Sequence, residues 1–175
     1  MIPTRSQIES YSTEHLVDAA DYWSSLADRW EHAHWQVRNE AHSLNWEGSA
    51  GDAVRARTIA DYTVAAQRAD QLRTAAGIAR QQAGELERLR NRILYAVGDA
   101  EDAGFDVGED LSVNDIRAAR NPAELIARQS QAQAFAVDIR QRAITLIGLD
   151  SDVAGSLTAS AGSVGDALVT GLPID

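Results

Sequence analysis

The chain has 175 residues, 45% of them hydrophobic and 24% charged, and its formal net charge is -10 at pH 7. Affinity for nucleic acid comes mostly from clustered basic side chains that displace counterions from phosphates, so this balance excludes DNA and RNA as expected partners. No cysteine is present, which removes disulfides, thiolate nucleophiles and Cys-ligated metal sites together.

All 16 basic residues are Arg, the mark of a GC-rich genome with no mechanistic consequence of its own. The length and the scarcity of Pro predict one all-α domain over residues 1–175, with a sizeable core. Residues Met1 to Ser10 combine neither a basic start nor an apolar run, and no window approaches the roughly 18 apolar residues of a membrane span. If the protein is exported, the expectation is a route without a Sec signal peptide.

Pro3 and Thr4, with Gln7 three residues on, form a capping-box pattern that opens a short helical turn, and Ser12 or Thr13 can cap the next helix. From about Glu14, the residues Leu16, Ala19, Trp23, Leu26, Trp30, Ala33, Val37, Ala41 and Leu44 recur at spacings of three and four. That is the seam of a long helix packing at a shallow angle. Asn45-Trp46-Glu47-Gly48 interrupts it: Gly48 can take the left-handed conformation that stops a helix, and Trp46 supplies an apolar anchor. Beyond the turn, Ala65, Leu72, Ala79, Leu86 and Ile93 repeat every seven residues, with Ala69, Ala76, Ala83 and Leu89 between them. A long antiparallel helical hairpin over about 14–98 is predicted, with bulky Trp of one helix over small Ala of the other. On that packing, Trp30→Ala would leave a void costing about 3–5 kcal/mol. The second helix outlasts the first, so Leu86, Leu89, Ile93 and Leu94 need cover from the first ten residues, from later segments or from another subunit.

Gly98, Gly104 and Gly108 break the pattern, and the acidic Asp99, Glu101, Asp102, Asp106, Glu109 and Asp110 lie among them without a base. This reads as a helix end followed by a connector over 99–121, in which Phe105, Val107, Leu111 and Val113 alternate with polar residues as an extended piece too short to argue for a sheet. Asn121-Pro122-Ala123-Glu124 is a second capping box. It opens a helix with Leu125, Ala132, Ile139 and Leu146 seven apart, expected to end at Gly148. A last helix, capped by Asp150 or Ser151, is expected through Val153, Leu157, Ala161, Val164 and Leu168, stopping at Gly171 and Pro173. The additional C-terminal helices, about 122–170, complete a helical bundle.

Trp46-Glu47-Gly48 between two long helices, with Tyr95-Ala96-Val97-Gly98-Asp99 at the end of the second, resembles the WXG-type substrates of type VII (ESX) secretion. The resemblance covers about Glu14 to Asp99. It implies an exported helical protein, or the targeting and partner-binding domain of a larger secreted effector, located outside the cell or in the envelope. Trp46 and Gly48 in the turn and Tyr95 and Asp99 after the second helix would form a bipartite signal read by the secretion ATPase. The resemblance further implies virulence-associated, actinobacterial relatives and antiparallel pairing of two hairpins, as a homodimer or with a small WXG-type helical partner. Along one nearly continuous helix, Trp46 and Tyr95 are on the order of 70 Å apart, so one hairpin cannot bring them together. The segment from about Gly104 to Asp175 exceeds the minimal family pattern and offers a second way to fill the bundle. Gly-Leu-Pro-Ile-Asp at the end fits a domain boundary or a natural C-terminus equally.

The residues also support plainer readings. Trp46 can close the hairpin as a core residue, and Tyr95 and Asp99 can be a helix-end aromatic and a solvated carboxylate. Trp35 lies off the Trp seam, facing either the later helices or a partner; together with Leu86, Leu89 and Ile93 it is a candidate interface residue. His32, His34 and His42 are poorly spaced to share an ion, so no metal site and no cofactor are expected. Glu31 with His34 and Asp28 with His32 are possible surface pairs. The acidic connector lacks the ligand spacing of a calcium loop, with Arg88, Arg90 and Arg92 as ordinary counter-charges. No nucleophile elbow, phosphate loop or dinucleotide fingerprint occurs, so no enzyme activity is expected. Two alternatives to secretion stand: a membrane-active envelope module, hinted at by the Ala- and Gly-rich Val153 to Leu168, and a helical scaffold or binding protein that is never exported.

Overall fold

The computed structural model describes residues 2–169, with side chains to Leu157. The protein is all-α and built of long paired helices. The order is α1 (Arg5–Glu9), α2 (Glu14–Ser43), α3 (Ser49–Asp102), a β-hairpin of β1 (Phe105–Val107) and β2 (Val113–Asp115), and α4 (Pro122–Val169). Packing divides the chain into two compact units: one joins Met1–Thr13 to Gln82–Ala154, the other joins Glu14–Gln81 to the chain from Gly155 onward.

In the second unit α2 and α3 pack antiparallel through small residues. Ala20, Ala76 and Ala79 form one buried cluster with Trp23 and Leu157 against it, and Ala27, Ala69 and Leu72 form another with Trp23 and Leu26. The large-on-small packing expected of the Trp seam is thus made by Trp23. The strict heptad is not kept: Val37 and Leu44 are 55% and 57% exposed. A straight α-helix turns about 20° per heptad away from a 3.5-residue repeat, so positions seven apart walk off the buried face. Leu16, Ala20, Ala27 and Ala41 are the buried residues of α2, and Trp30 is half-buried, which lowers the cost expected of Trp30→Ala. Arg73 and Arg80 of α3 tie the pair together, bonding Asp28 and Glu31 and Asp21, respectively, on α2.

The first unit buries the largest side chains. α3 continues past Gly98 to Asp102, and Gly104 (φ +85°) supplies the left-handed residue after its end. Gly98 was expected to end the helix, but burial of Val97 and Ala100 around it stabilises the helix through a further turn. The Thr4 capping box forms as expected, the Thr4 hydroxyl accepting from Gln7 N and the Gln7 side chain accepting from Thr4 N. α1 covers the overhang of α3: Ile8 is buried, Arg90 donates to the carbonyls of Ile8 and Glu9, and Arg5 pairs with Glu101 at 2.6 Å. The acidic connector is therefore answered by α1, with Glu109 accepting from Ser6 Oγ at 2.6 Å and Glu101 paired with Arg5; among the described residues no ion pair joins it to Arg88 or Arg92.

The extended piece is a two-stranded antiparallel hairpin, Phe105 opposite Asp115 and Val107 opposite Val113. Its turn puts Leu111 at φ +60°, a conformation a bulky side chain normally avoids; the side chain is fully buried there, which offsets the strain. Arg128 of α4 clasps the hairpin. It bonds both oxygens of Asp115 (2.9 and 2.5 Å), donates to the carbonyls of Ala103 and Gly104 that end α3, and lies 3.8 Å over the Phe105 ring. At the start of α4, Asn121 Oδ1 accepts from Glu124 N while the Glu124 carboxylate reaches back to Arg120 N, one residue beyond the expected capping box. α4 does not end at Gly148: it is continuous to Val169. Nothing lies within 4 Å of a Cβ built at Gly148, so this glycine costs propensity only, and burial of Leu146 and Val153 on either side carries the helix through. The two expected C-terminal helices are one. The expected stop at Gly171 and Pro173 lies outside the described residues, as do the side chains of Ala161, Val164 and Leu168.

Candidate functional site

Three places hold the residues singled out by the sequence. The first is the turn between α2 and α3, in the second unit. α2 ends at Ser43, five residues before Gly48, so Gly48 does not stop it. Gly48 (φ +94°) instead starts α3, its carbonyl accepting from Asp52 N at 3.1 Å. A Cβ at Gly48 would meet nothing, so the requirement there is conformational. Gly51 is required for the opposite reason: a Cβ would stand 2.2 Å from the Trp46 carbonyl oxygen. Arg55 holds that same carbonyl at 3.1 Å and is itself fixed by Asp52 at 2.7 Å. Trp46 is anchored through its backbone, and the residue is 49% exposed. The ring is therefore not a core residue closing the hairpin, and the anchoring that the sequence placed in the side chain lies in the carbonyl.

The second place is the last part of α3, in the first unit. Tyr95 is 73% exposed and Asp99 is exposed, four residues on along the same helix face, while Ile93, Ala96, Val97 and Ala100 are buried behind them. Both lie inside α3, not after it. Trp46 with Gly48 and Tyr95 with Asp99 thus belong to different units. Of the expected interface residues, Leu86 and Ile93 are fully buried and Leu89 half-buried within this chain. Leu86 and Ile93 are core residues covered by the chain itself, whereas Leu89 is covered only in part.

The third place was not read as a site. On one flank of the α2–α3 pair a shallow cleft of about 300 Å³ is lined by Asp28, Glu31, His32, Trp35, Tyr62 and Arg73. Trp35 stacks on His32 with ring centres 5.9 Å apart, and is 44% exposed. Arg38 lies 4.6 Å over the Tyr62 ring. Arg73 bonds Asp28 (2.8 Å), Glu31 (2.6 Å) and Asp70 (3.1 Å), and the Asp28 and then the Glu31 hydrogen bond hold its guanidinium pKa well above the ordinary value. Asp28 and Glu31 therefore pair across the helices and not with His32 and His34; His34 Nδ1 sits 2.9 Å from the Trp30 carbonyl. The sequence held no signal for Arg73, because three- and four-residue neighbours on α2 were the visible candidates and the partner is more than 40 residues away.

No family model matches the chain, and no solved structure matches it. It is 49% identical over 174 residues to the uncharacterized proteins Rv2077c of Mycobacterium tuberculosis and Mb2102c of Mycobacterium bovis, a match that takes in 99% of this chain and 54% of each relative. The chain thus spans about half the length of the curated relatives it matches, and those relatives are actinobacterial.

Proposed function

We propose that the protein is a type VII (ESX) secretion-associated protein, either an exported helical substrate or the targeting and partner-binding region of a larger exported protein. The observation that carries this reading is the Trp46 turn. Two long helices are joined by a Trp-x-Gly whose Trp is half-exposed while its carbonyl is pinned by Arg55. A backbone pinned this way presents its exposed ring at a lower entropic cost to whatever binds it, which is the chemistry of a recognition feature and not of a core. Tyr95 and Asp99 supply an exposed aromatic and a charge one helical turn apart on α3. The expected roles are docking of Trp46 and Gly48 on the secretion machinery and reading of Tyr95 and Asp99 by its ATPase. The greater length of the mycobacterial relatives supports the second form of the proposal, in which a further region accompanies this one.

Tyr95→Ala and Asp99→Ala test it. Both should abolish export from a mycobacterial host carrying an ESX system, with helicity and melting unchanged; export at the wild-type level with both changes overturns the reading. Light scattering on a size-exclusion column then tests the partner. A dimer or a one-to-one complex with a small helical protein supports pairing of hairpins, and a strict monomer removes it. The alternative of a membrane-active envelope-associated module rests on the Ala- and Gly-rich Val153 to Leu168, and vesicle binding that depends on anionic lipid would favour it; among the described residues no helix is long and apolar enough to cross a membrane.

A further inference from the structure

The cleft between α2 and α3 has a composition that the secretion reading does not use. It is open to solvent, and its lining mixes aromatic and ionic groups: Trp35 and Tyr62 stand beside Asp28, Glu31 and Arg73. An anion would find Arg73 already engaged by three carboxylates. A cation meets different surroundings. Asp28 and Glu31 each touch Arg73 through one oxygen, Asp28 Oδ1 and Glu31 Oε2, which leaves the other oxygen of each without a partner among the described residues. Asp28, Glu31 and Asp70 outnumber the guanidiniums of Arg73 and Arg38, so the rim carries one negative charge in excess.

The protein's own side chains show what shape of cation fits. Arg38 lies over Tyr62 with its guanidinium carbon 4.6 Å from the ring centre, within the range where the ring quadrupole attracts a cation. Trp35, the better aromatic for this purpose, has no guanidinium of its own. One neighbour is His32, stacked at an interplanar angle of 20°, and 44% of the residue remains exposed. A planar guanidinium can stack on an indole and donate in its own plane to a carboxylate; an ammonium has no such plane.

We infer that this cleft binds a guanidinium group, stacked on Trp35 and hydrogen-bonded by the second oxygens of Asp28 and Glu31. The group is either a free small molecule or an Arg side chain offered by a protein partner. The inference is independent of export, because it uses none of Trp46, Gly48, Tyr95 or Asp99.

The test uses the full chain, labelled with nitrogen-15, and follows the indole N–H resonance of Trp35, assigned by its loss in Trp35→Phe. The probes are N-acetyl-arginine amide, a Gly-Arg-Gly peptide and N-acetyl-lysine amide. Both arginine probes should shift the Trp35 resonance saturably, and the lysine probe should bind about 3-fold more weakly or less. Glu31→Gln with Asp28→Asn should weaken arginine binding by about 3-fold or more, and added salt should weaken it further. Asp28 is exposed and Glu31 half-buried, and unchanged ellipticity and melting would show that the variant is folded. Tighter binding of the peptide than of the free amide assigns the site to a protein partner, and equal binding assigns it to a small molecule. The inference is overturned by an unsaturated or absent Trp35 shift, by equal binding of lysine, or by full binding in the folded double variant.

Discussion

The two units bury different things. The largest fully buried side chains, among them Phe105, Ile8, Leu86, Ile93, Ile139 and Leu146, all belong to the unit made by Met1–Thr13 and Gln82–Ala154. In the unit made by Glu14–Gln81 and the chain from Gly155, the described residues with no exposed surface are Ala20, Ala27, Ala69, Ala76 and Ala79, overlain by a half-buried Trp23. Alanine lets two helix backbones come close but removes little apolar area from water. Large side chains elsewhere in the same unit stay outside: Val37, Leu44, Trp46 and Val64 are each about half-exposed. Among the described residues the large buried side chains lie in the first unit, although that unit also leaves Tyr95, Ile116, Ile126 and Val137 mostly exposed. The polar ties follow the same division. Arg128 and Asp115 are only 15% and 16% exposed, whereas of the partners of Arg73 and Arg80, Asp28, Asp70 and Asp21 are 71%, 78% and 67% exposed and Glu31 32%, and the exposed pairs contribute little each.

This contrast can be broken in order of size. Leu86→Ala removes a fully buried side chain of the first unit and should cost about 2–5 kcal/mol in denaturant unfolding; an effect below about 1 kcal/mol would mean that this core is not what holds the unit. Ala76→Leu inserts bulk where α2 and α3 meet and should cost about 1–3 kcal/mol. A neutral or stabilising result would show that the alanine seam is loosely packed. Thr4→Ala removes the hydroxyl that accepts from Gln7 N and should cost about 1 kcal/mol, read as faster exchange of the α1 amides.

Acid should distinguish the units further. Hydrogen bonding to Arg128 holds the Asp115 carboxyl down at about 2 from its usual 3.8. A carboxyl lowered in the folded state contributes stability that is complete above its unfolded value and is lost as pH falls through the folded one. The clasp should therefore hold at pH 4 and loosen between pH 4 and pH 2, seen as a fall in melting temperature over that window that is absent in Asp115→Asn. Smallest of all, Tyr95→Ala should change stability by no more than about 0.5 kcal/mol, because the side chain is 73% exposed. That variant sharpens the comparison, since loss of export without loss of stability separates a recognition surface from a core.

Much of the fold was legible in local pattern. The Thr4–Gln7 capping box, the start of α2 at Glu14, the positive-φ glycine in the turn and the buried series Ala65, Ala69, Leu72, Ala76, Ala79, Ala83 and Leu86 all appear where short-range signals put them. Misreadings came where local and tertiary preferences compete. Gly98 and Gly148 look like helix ends in the sequence, but burial of Val97 and Ala100 around one and of Leu146 and Val153 around the other outweighs a glycine's propensity cost. Val37 and Leu44 were read into the seam because a seven-residue count ignores the drift of a straight helix. Of the candidate site, Trp46, Gly48, Tyr95 and Asp99 stand out in the sequence as residues; their exposure does not. Gly51 has a visible signal, a second glycine three residues after the first, whereas Arg55 and Arg73 have none.

The sequence by itself determined the helical class, the turn at Trp46 to Gly48 and the caps, because each depends on neighbours within about four residues along the chain. Tertiary structure alone decided that Leu86 and Ile93 are core, that the acidic connector is answered by Arg5 and Ser6, and that Arg128 clasps Asp115 against Phe105. Those outcomes rest on pairings between residues up to about a hundred positions apart, whose partners are chosen by the geometry of packed helices and not by any local pattern.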